Sequence, residues 1–292
     1  MIEWCWFMEE KLIRLTLNCN QRCIFCNTYG NKDIVYSPKM FCNYLIKYKG
    51  KTIKLLFTGG EPTIIKYLPF YIQTAKRYLS HNSIIGIQSN ILKFADYEYT
   101  KKIVEAGLNY IFISFHHYNS DIFDTITGRK NAFLVFKKAM TNIVKFNLDI
   151  DINIVVNKLN YKDLLYIVKY IHDNFKFNII SLSVVQPNGL ADNNYNIVPK
   201  YELIRPYLIK TYDFCIKNNI TFINPNCGIP LCFVKGYEKY SYDYLVYKKG
   251  LIKDSVSKIK TSKCFNCKMK NMCGGLWENY IKMYGDSGLD PY

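Results

Sequence analysis

Three thiols fall within eight residues, at Cys19, Cys23 and Cys26, directly after an apolar run from Leu12 to Leu17 that closes on Asn18. Thiolates are soft ligands. A loop carrying three of them at the end of a strand puts a metal at the mouth of a fold, where a small molecule can still reach it. Their number separates the candidates: a zinc site takes four protein ligands, or three with one position left to water, whereas an iron-sulfur cube held by three cysteines leaves one iron open to an outside ligand. The carboxyl-terminal part repeats the theme, with Cys227 and Cys232 across a turn and Cys264, Cys267 and Cys273 further on. That set points to metal again, as a closed zinc site or an iron-sulfur cluster. Between the two lies Thr58-Gly59-Gly60-Glu61-Pro62. Its glycine pair permits close backbone approach to a polar ligand, and Glu61 can either hold the loop or answer a positive charge. His116 and His117 are expected to line a cavity with neither a metal nor a covalent role.

These residues need strand ends to hold them. Beyond Leu12 to Leu17, buried strands are expected at Ile53 to Phe57, Ile84 to Gln88, Tyr110 to Phe115, Asp149 to Val156 and Phe177 to Val185. Helical spacing or helix-start signals separate them. Ser37-Pro38 reads as an N-cap with proline at the first helical position, Asp96 to Ala106 as a helix stopped by Gly107, and Asn131 to Phe146 as a helix with helical spacing in Phe133, Phe136, Met140, Ile143 and Val144. Asn160 is expected to cap the helix that runs to Asn174. Strict alternation in Asp149 to Val156 sets Ile150, Ile152, Ile154 and Val156 on the helix-facing side and points Asn153 inward. Strands alternating with helices through short connections predict a parallel α/β sheet with right-handed crossovers, a partial (β/α)6 TIM-like barrel with a small cysteine-rich carboxyl-terminal extension. Such folds carry their chemistry at the carboxyl ends of the strands, which is where the cysteine loop, Thr58 to Pro62, Ser89-Asn90, His116-His117 and Gln186-Pro187 fall. The boundary is expected near residue 220, giving 1–220 and 221–292. In the second part, Tyr201 to Asn219 leads in as a helix and Thr221 to Asn224 as a short strand.

Composition narrows the class. The chain has 292 residues, 49% of them hydrophobic and 16% aromatic, which is a globular balance and not a disordered one. No apolar run approaches the roughly 18 to 20 residues of a membrane span, and the acidic start at Met1-Ile2-Glu3 lacks the pattern of a signal peptide. A cytoplasmic location is expected. There, eleven cysteines argue for metal ligation over disulfides, with Cys5, Cys42 and Cys215 as small core residues. The formal charge of +16 comes from scattered lysines rather than basic blocks, so neither nucleic acid nor membrane is expected as a partner.

Cys19-x-x-x-Cys23-x-x-Cys26, with Phe25 before the last cysteine, resembles the cluster loop of radical S-adenosylmethionine enzymes. The resemblance implies a 4Fe-4S cube whose open iron is chelated by S-adenosylmethionine, reductive cleavage of that cofactor to a 5'-deoxyadenosyl radical, and hydrogen abstraction from a substrate. Gly59-Gly60-Glu61-Pro62 is similar to the family's second motif, which receives the methionine amino group, so Thr58 to Pro62 become cofactor contacts. More loosely, Ser114 and Arg129 resemble residues that meet the cofactor's carboxylate or ribose, with Ser89, Asn90 and Asn153 on the ribose side. Phe115-His116 departs from the family's usual Asp-Gly. Phe123 to Arg129 looks like the loop after the fourth strand. The later cysteines resemble the auxiliary-cluster extensions called SPASM or twitch domains. Five cysteines instead of seven fit a single cluster, implying Cys232, Cys264, Cys267 and Cys273 as ligands with Cys227 as substitute or spare. The implied enzyme is an oxidoreductase or maturase acting on a peptide or protein and fed by a one-electron donor such as flavodoxin or ferredoxin. Small-molecule or cofactor biosynthesis on the same scaffold is the alternative, and a non-catalytic iron-sulfur or zinc protein is the reading from outside enzymes.

Overall fold

The computed structural model describes residues 8–30, 34–192, 196–251 and 257–292; Cys5 and the first residues of the chain lie outside this set. Seven strands run in sequence order through one sheet: β1 (Glu10–Thr16), β2 (Lys54–Gly59), β3 (Ile84–Ser89), β4 (Tyr110–Ser114), β5 (Asp149–Val156), β6 (Ile179–Val184) and β7 (Phe222–Ile223). The pairings of β1 with β2, β2 with β3, β3 with β4, and β6 with β7 are all parallel. Helices alternate with the strands: α1 (Pro38–Ile46), α2 (Leu68–Tyr78), α3 (Tyr97–Glu105), α4 (Ser120–Thr127), α5 (Ala132–Ile143), α6 (Leu164–Asn174) and α7 (Tyr201–Lys217). The α/β class and the parallel sheet follow the expectation. After β7 come α8 (Tyr242–Lys248), an antiparallel pair β8 (Lys258–Ile259) and β9 (Leu276–Trp277), and α9 (Glu278–Tyr284).

Tertiary contacts divide the chain into two compact units. One comprises Met1–Arg22, Thr28–Ser114 and Thr127–Asp151; the other comprises Cys23–Asn27, Phe115–Ile126 and Ile152–Tyr292. In the first, Ser37 caps α1 as expected, its hydroxyl accepting from Met40 N at 3.3 Å, and Asp96 caps α3 by accepting from Tyr99 N at 3.1 Å. Phe41 of α1 meets Phe57 of β2 at 5.5 Å and Tyr71 of α2 at 5.2 Å between ring centroids. All three rings are buried, and burying each large apolar side chain is worth about 2–3 kcal/mol, so this aromatic cluster fixes two helices on the strands that carry the cysteine and glycine loops. In the second unit, β6 is buried at every position while the β5 residues of that unit alternate, leaving Asn153 and Val155 on the less covered face. Tyr212 of α7 stacks on Phe222 of β7 at 4.7 Å.

Four expectations need adjustment. The short strand foreseen at Thr221 to Asn224 is β7, a seventh member of the parallel sheet. Ser120–Thr127 is a helix, where a loop was expected through Phe123, because Asn119 Oδ1 accepts from Asp121 N and Ile122 N and starts a turn. Asn160 does not cap α6: its amide donates to the His116 and Val155 carbonyls, and its Oδ1 accepts from Asn157 N, so it ties strand ends together instead. Cys215 is buried, as expected of a core thiol, whereas Cys42 is only half-buried.

Candidate functional site

The cysteine loop begins where β1 ends. In the first unit, Cys19 is exposed and its sulfur accepts from Gln21 N at 3.4 Å, with the Asn90 amide 3.7 Å away. Donors aimed at sulfur favour thiolate, the form that binds metal. Asn90 also donates to Asn20 Oδ1 at 2.7 Å, and Arg129 Nη1 donates to the Asn20 carbonyl at 2.8 Å. Two of the expected cofactor contacts therefore hold the cysteine loop itself. Asn20, which the sequence offered no reason to single out, is the residue they share.

Gly59 and Gly60 are where this loop meets the next one. A Cβ on Gly59 would stand 2.1 Å from the Thr16 carbonyl oxygen, and one on Gly60 2.1 Å from that of Asn18. Gly60 N donates to Thr16 O at 2.8 Å and Glu61 N to Asn18 O at 2.9 Å. The glycine pair is thus needed for strand ends to touch, a use that precedes any contact with ligand. Glu61 resolves the choice left open by the sequence. Its carboxylate is buried and accepts from Thr63 N at 3.0 Å, Thr63 Oγ1 at 2.7 Å, Ser89 Oγ at 2.8 Å and Asn90 N at 2.8 Å. Burial pushes its pKa up while those four donors pull it down. It holds the loop, and binds the end of β3 to the end of β2. Thr58 Oγ1 donates to Gln88 Oε1 at 2.8 Å, Pro62 opens a buried single turn, and Ser114 is the half-buried last residue of β4.

In the second unit, Cys23 and Cys26 share one turn, Cys26 N donating to Cys23 O at 3.0 Å, and Phe25 sets its ring edge-on to His116 at 5.0 Å. Burial holds His116 neutral, with a pKa pushed down to about 3, and its Nδ1 accepts from Val155 N at 3.3 Å. The neighbouring His117 accepts at Nδ1 from Asn119 N and faces Asp163 at 3.4 Å. Both imidazoles are structural. Asn153 Oδ1 accepts from Ser183 Oγ at 3.0 Å. The loop after β6, absent from the expected site, also braces the cysteine turn: Leu190 N donates to Cys26 O at 3.0 Å, and Asn27 Nδ2 to Gln186 Oε1 at 3.2 Å. Its only signal in the sequence was Gln186-Pro187-Asn188-Gly189 at a strand end.

Further along the same unit, Cys232, Cys264, Cys267 and Cys273 line one cavity with about 410 Å³ of atom-free space, partly open to solvent. Burial pushes the Cys232 thiol up to about 12, and the thiols of Cys273, Cys264 and Cys267 add repulsion. Crowded thiolates of this kind are relieved by a bound cation. Cys273 Sγ accepts from Gly275 N at 3.4 Å. Cys227 does not line this cavity. Among the described residues, no three His, Cys, Asp or Glu side chains close on a single ion. No helix among the described residues is long and apolar enough to cross a membrane.

Comparison with known proteins follows this geometry. The profile of the Radical SAM superfamily matches residues 13–171. A probable GTP 3',8-cyclase of Saccharolobus islandicus is 29% identical over 193 residues, which cover 63% of this chain and 59% of the relative. The chain thus spans about three-fifths of the length of such curated relatives. Among solved structures, Streptococcus suis SuiB bound to S-adenosylmethionine superposes with a TM-score of 0.62 at 14% identity, covering 95% of this chain and 74% of that one. Native anSMEcpe with bound AdoMet and Cp18Cys peptide superposes with a TM-score of 0.59 at 18% identity, covering 74% and 63%. These two likenesses are of fold.

Proposed function

The chain belongs to the radical SAM superfamily, and from that premise we propose that it cleaves S-adenosylmethionine reductively and takes hydrogen from a peptide or protein substrate as an oxidoreductase or maturase. The observation that carries this reading is the trio Cys19, Cys23 and Cys26, set on one loop at the end of β1, with Cys19 exposed and Cys23 and Cys26 half-buried. When bound there, a 4Fe-4S cube supplies an electron to the sulfonium of S-adenosylmethionine and releases the adenosyl group as a hydrogen-abstracting radical. The chain's own part is to hold three thiolates, to fix the glycine turn through the Glu61 carboxylate, and to offer strand-end polar groups to the cofactor. Phe25, Thr58, Gly59, Gly60, Pro62, Ser89, Ser114 and Asn153 remain our assignment for that surface. Asn90 and Arg129 act on it through Asn20.

We assign a second 4Fe-4S cluster to Cys232, Cys264, Cys267 and Cys273, in a twitch-like extension spanning 221–292 behind a barrel domain of 1–220. Support comes from the cavity that the four thiols share. The net charge of +16 suits a small acidic one-electron carrier of the flavodoxin or ferredoxin type in the cytoplasm. A peptide substrate is favoured by the fold likeness to SuiB, which is also solved bound to precursor peptide SuiA. Small-molecule chemistry is the second reading, favoured by the similarity to the probable GTP 3',8-cyclase.

Anaerobic reconstitution with iron and sulfide, followed by dithionite and S-adenosylmethionine, tests the core of this reading. We expect 5'-deoxyadenosine from the wild-type chain and none above background from Cys23→Ala, with about four fewer irons in the variant. Equal yields from the two would end the radical reading.

A further inference from the structure

The turns that carry the carboxyl-terminal cysteines sort their residues into two sets. Cys264 N donates to Thr261 O at 2.9 Å, Cys267 N to Cys264 O at 3.1 Å, Lys270 N to Cys267 O at 3.1 Å and Cys273 N to Met269 O at 2.9 Å. Through this succession Cys264, Cys267 and Cys273 are half-buried and line the cavity shared with Cys232, while Lys263, Phe265, Lys268 and Lys270 beside them are exposed. Lys260, just after β8, joins the exposed set. A Cβ on Gly275, at φ +92°, would stand 2.3 Å from the Ile259 carbonyl oxygen and 3.4 Å from Lys260 Cγ. Only glycine allows that approach. It seats Lys260 at the thiol cavity, which Lys260 and Lys270 line together with the four cysteines.

The exposed set is basic. From Ser257 to Gly275 the chain has five lysines, Lys258, Lys260, Lys263, Lys268 and Lys270, and no acidic residue. Lys263 Nζ donates to the Asp286 and Ser287 carbonyls at 3.0 and 3.3 Å, and Lys270 Nζ to the Phe265 carbonyl at 3.1 Å. Carbonyls position an ammonium without cancelling its charge. Of the carboxylates that neighbour these turns in the fold, Asp290 pairs with Lys235 at 2.8 Å, Glu238 accepts from the Tyr292 hydroxyl, and Asp243 accepts from Gly274 N. Phe265 is 65% exposed. A lone exposed ring is ordinary on a protein surface, but one that stands between two cavity thiols with lysines on either side has the make-up of an interface: an aromatic anchor inside a charged rim. The basic stretch Lys47, Lys49 and Lys51 lacks this setting. Lys47 lies over the Tyr44 and Tyr48 rings at 4.3 and 5.3 Å, Lys51 lies over Tyr48 at 5.5 Å, and no candidate ligand belongs to it.

We propose that Lys260, Lys263, Lys268 and Lys270, with Phe265 among them, form the docking face through which an acidic one-electron carrier exchanges an electron with the metal at the four thiols. The inference rests on the second cluster assigned above and adds to it where the carrier binds. In the exchange one partner loses one electron and the other gains it; no bond forms or breaks and no proton moves. Electron transfer falls steeply with distance, so a carrier must sit where the protein over the metal is thin. The exposed turns are that covering. Opposite charge speeds the encounter, and the small interface of a single turn region suits a partner that must leave again. An acidic peptide would answer the same charge but needs no thiols behind it.

The test uses the full chain carrying Cys23→Ala, reconstituted anaerobically, so that iron remains only at the carboxyl-terminal site, about four per chain. The probe is a strongly acidic 2Fe-2S ferredoxin. Its binding is measured by calorimetry, and electron exchange by stopped-flow absorbance with either partner reduced beforehand, since one of the two directions is downhill. Lys260 and Lys268 are the residues to reverse, because Lys263 and Lys270 also hold carbonyls. We expect Lys260→Glu/Lys268→Glu to weaken binding and slow exchange roughly 5-fold or more with iron unchanged, and Lys47→Glu/Lys51→Glu to stay within about 2-fold. Raising salt from about 50 to 200 mM should weaken wild-type binding and affect the reversed variant less. Lys260→Gln/Lys268→Gln, which removes charge without reversing it, should lie between the two and serves as the readout if glutamate lowers the iron. Phe265→Ser should weaken binding at both salt concentrations. Exchange in neither direction overturns the proposal, as do equal losses in the Lys47/Lys51 control. An acidic peptide of the same net charge that binds as tightly as ferredoxin also overturns it, because the face would then be a general anion site. Absence of iron from the reconstituted Cys23→Ala chain is a different failure, which removes the second cluster and this inference with it.

Discussion

Asp151 shows how one buried carboxyl writes a pH dependence into this chain. The Tyr110 hydroxyl donates to its Oδ2 at 2.6 Å, and Lys54 bridges Tyr110 to Glu10 at 3.4 and 3.1 Å. Burial outweighs these partners and pushes the Asp151 pKa up to about 6. The folded state thus binds a proton more tightly than the unfolded chain. The stabilisation is complete below the unfolded value near 3.9 and is lost as pH rises through about 6, a linkage of roughly 2–3 kcal/mol. His116 works with the opposite sign: its lowered pKa makes the fold lose stability as pH falls below the ordinary histidine value near 6.5. Asp151→Asn keeps an acceptor for Tyr110 and removes the charge. Its melting temperature should exceed wild type at pH 7.5 and match it at pH 4, as read by thermal melts at both values. An unchanged difference across that range would contradict the assignment.

At the scale of elements, the site is built by loops that lock one another. Gly189 belongs to the loop after β6 and has φ +60°, and a Cβ there would lie 2.5 Å from the Cys26 carbonyl oxygen and 2.8 Å from Asn27 Cα. Gly285 also has a positive φ, +67°, with nothing within 4 Å of a Cβ. The two glycines separate backbone strain from collision. Gly285→Ala, at ψ −157° in a region open almost only to glycine, should cost about 1–3 kcal/mol and leave the iron content alone. Gly189→Ala is strained by its positive φ and also displaces the cysteine turn, so iron per chain after reconstitution should fall by about four, toward the Cys26→Ala value. Iron analysis beside thermal melts distinguishes the two.

For the molecule as a whole, the carboxyl-terminal cysteines should be a source of stability. Cys232 and the Cys264 to Cys273 segment face one cavity, and a cluster that binds only the folded chain adds its binding free energy to folding. Cys232→Ser should therefore lower the melting temperature of iron-loaded protein by several degrees and leave that of chelated protein within about one degree of wild type. Equal losses in both states would mean that Cys232 matters only as packing.

The thiol positions, the parallel α/β alternation and the glycine turn were legible in the sequence because each depends on local constraints: ligand spacing, strand and helix periods, and a backbone approach that a side chain forbids. What no local pattern could decide was which side chain ends up facing which. Glu61 has two plausible uses in the sequence, and only the meeting of β2 and β3 surrounds it with four donors. Nothing local shows that Arg129 and Asn90 both hydrogen-bond Asn20, which folding alone brings between them. Cys227 and Cys232 stand five residues apart, yet Cys232 lines the cysteine cavity and Cys227 does not. Partners of that kind are distant in the chain, and burial and hydrogen-bond geometry select them only once the strands have assembled.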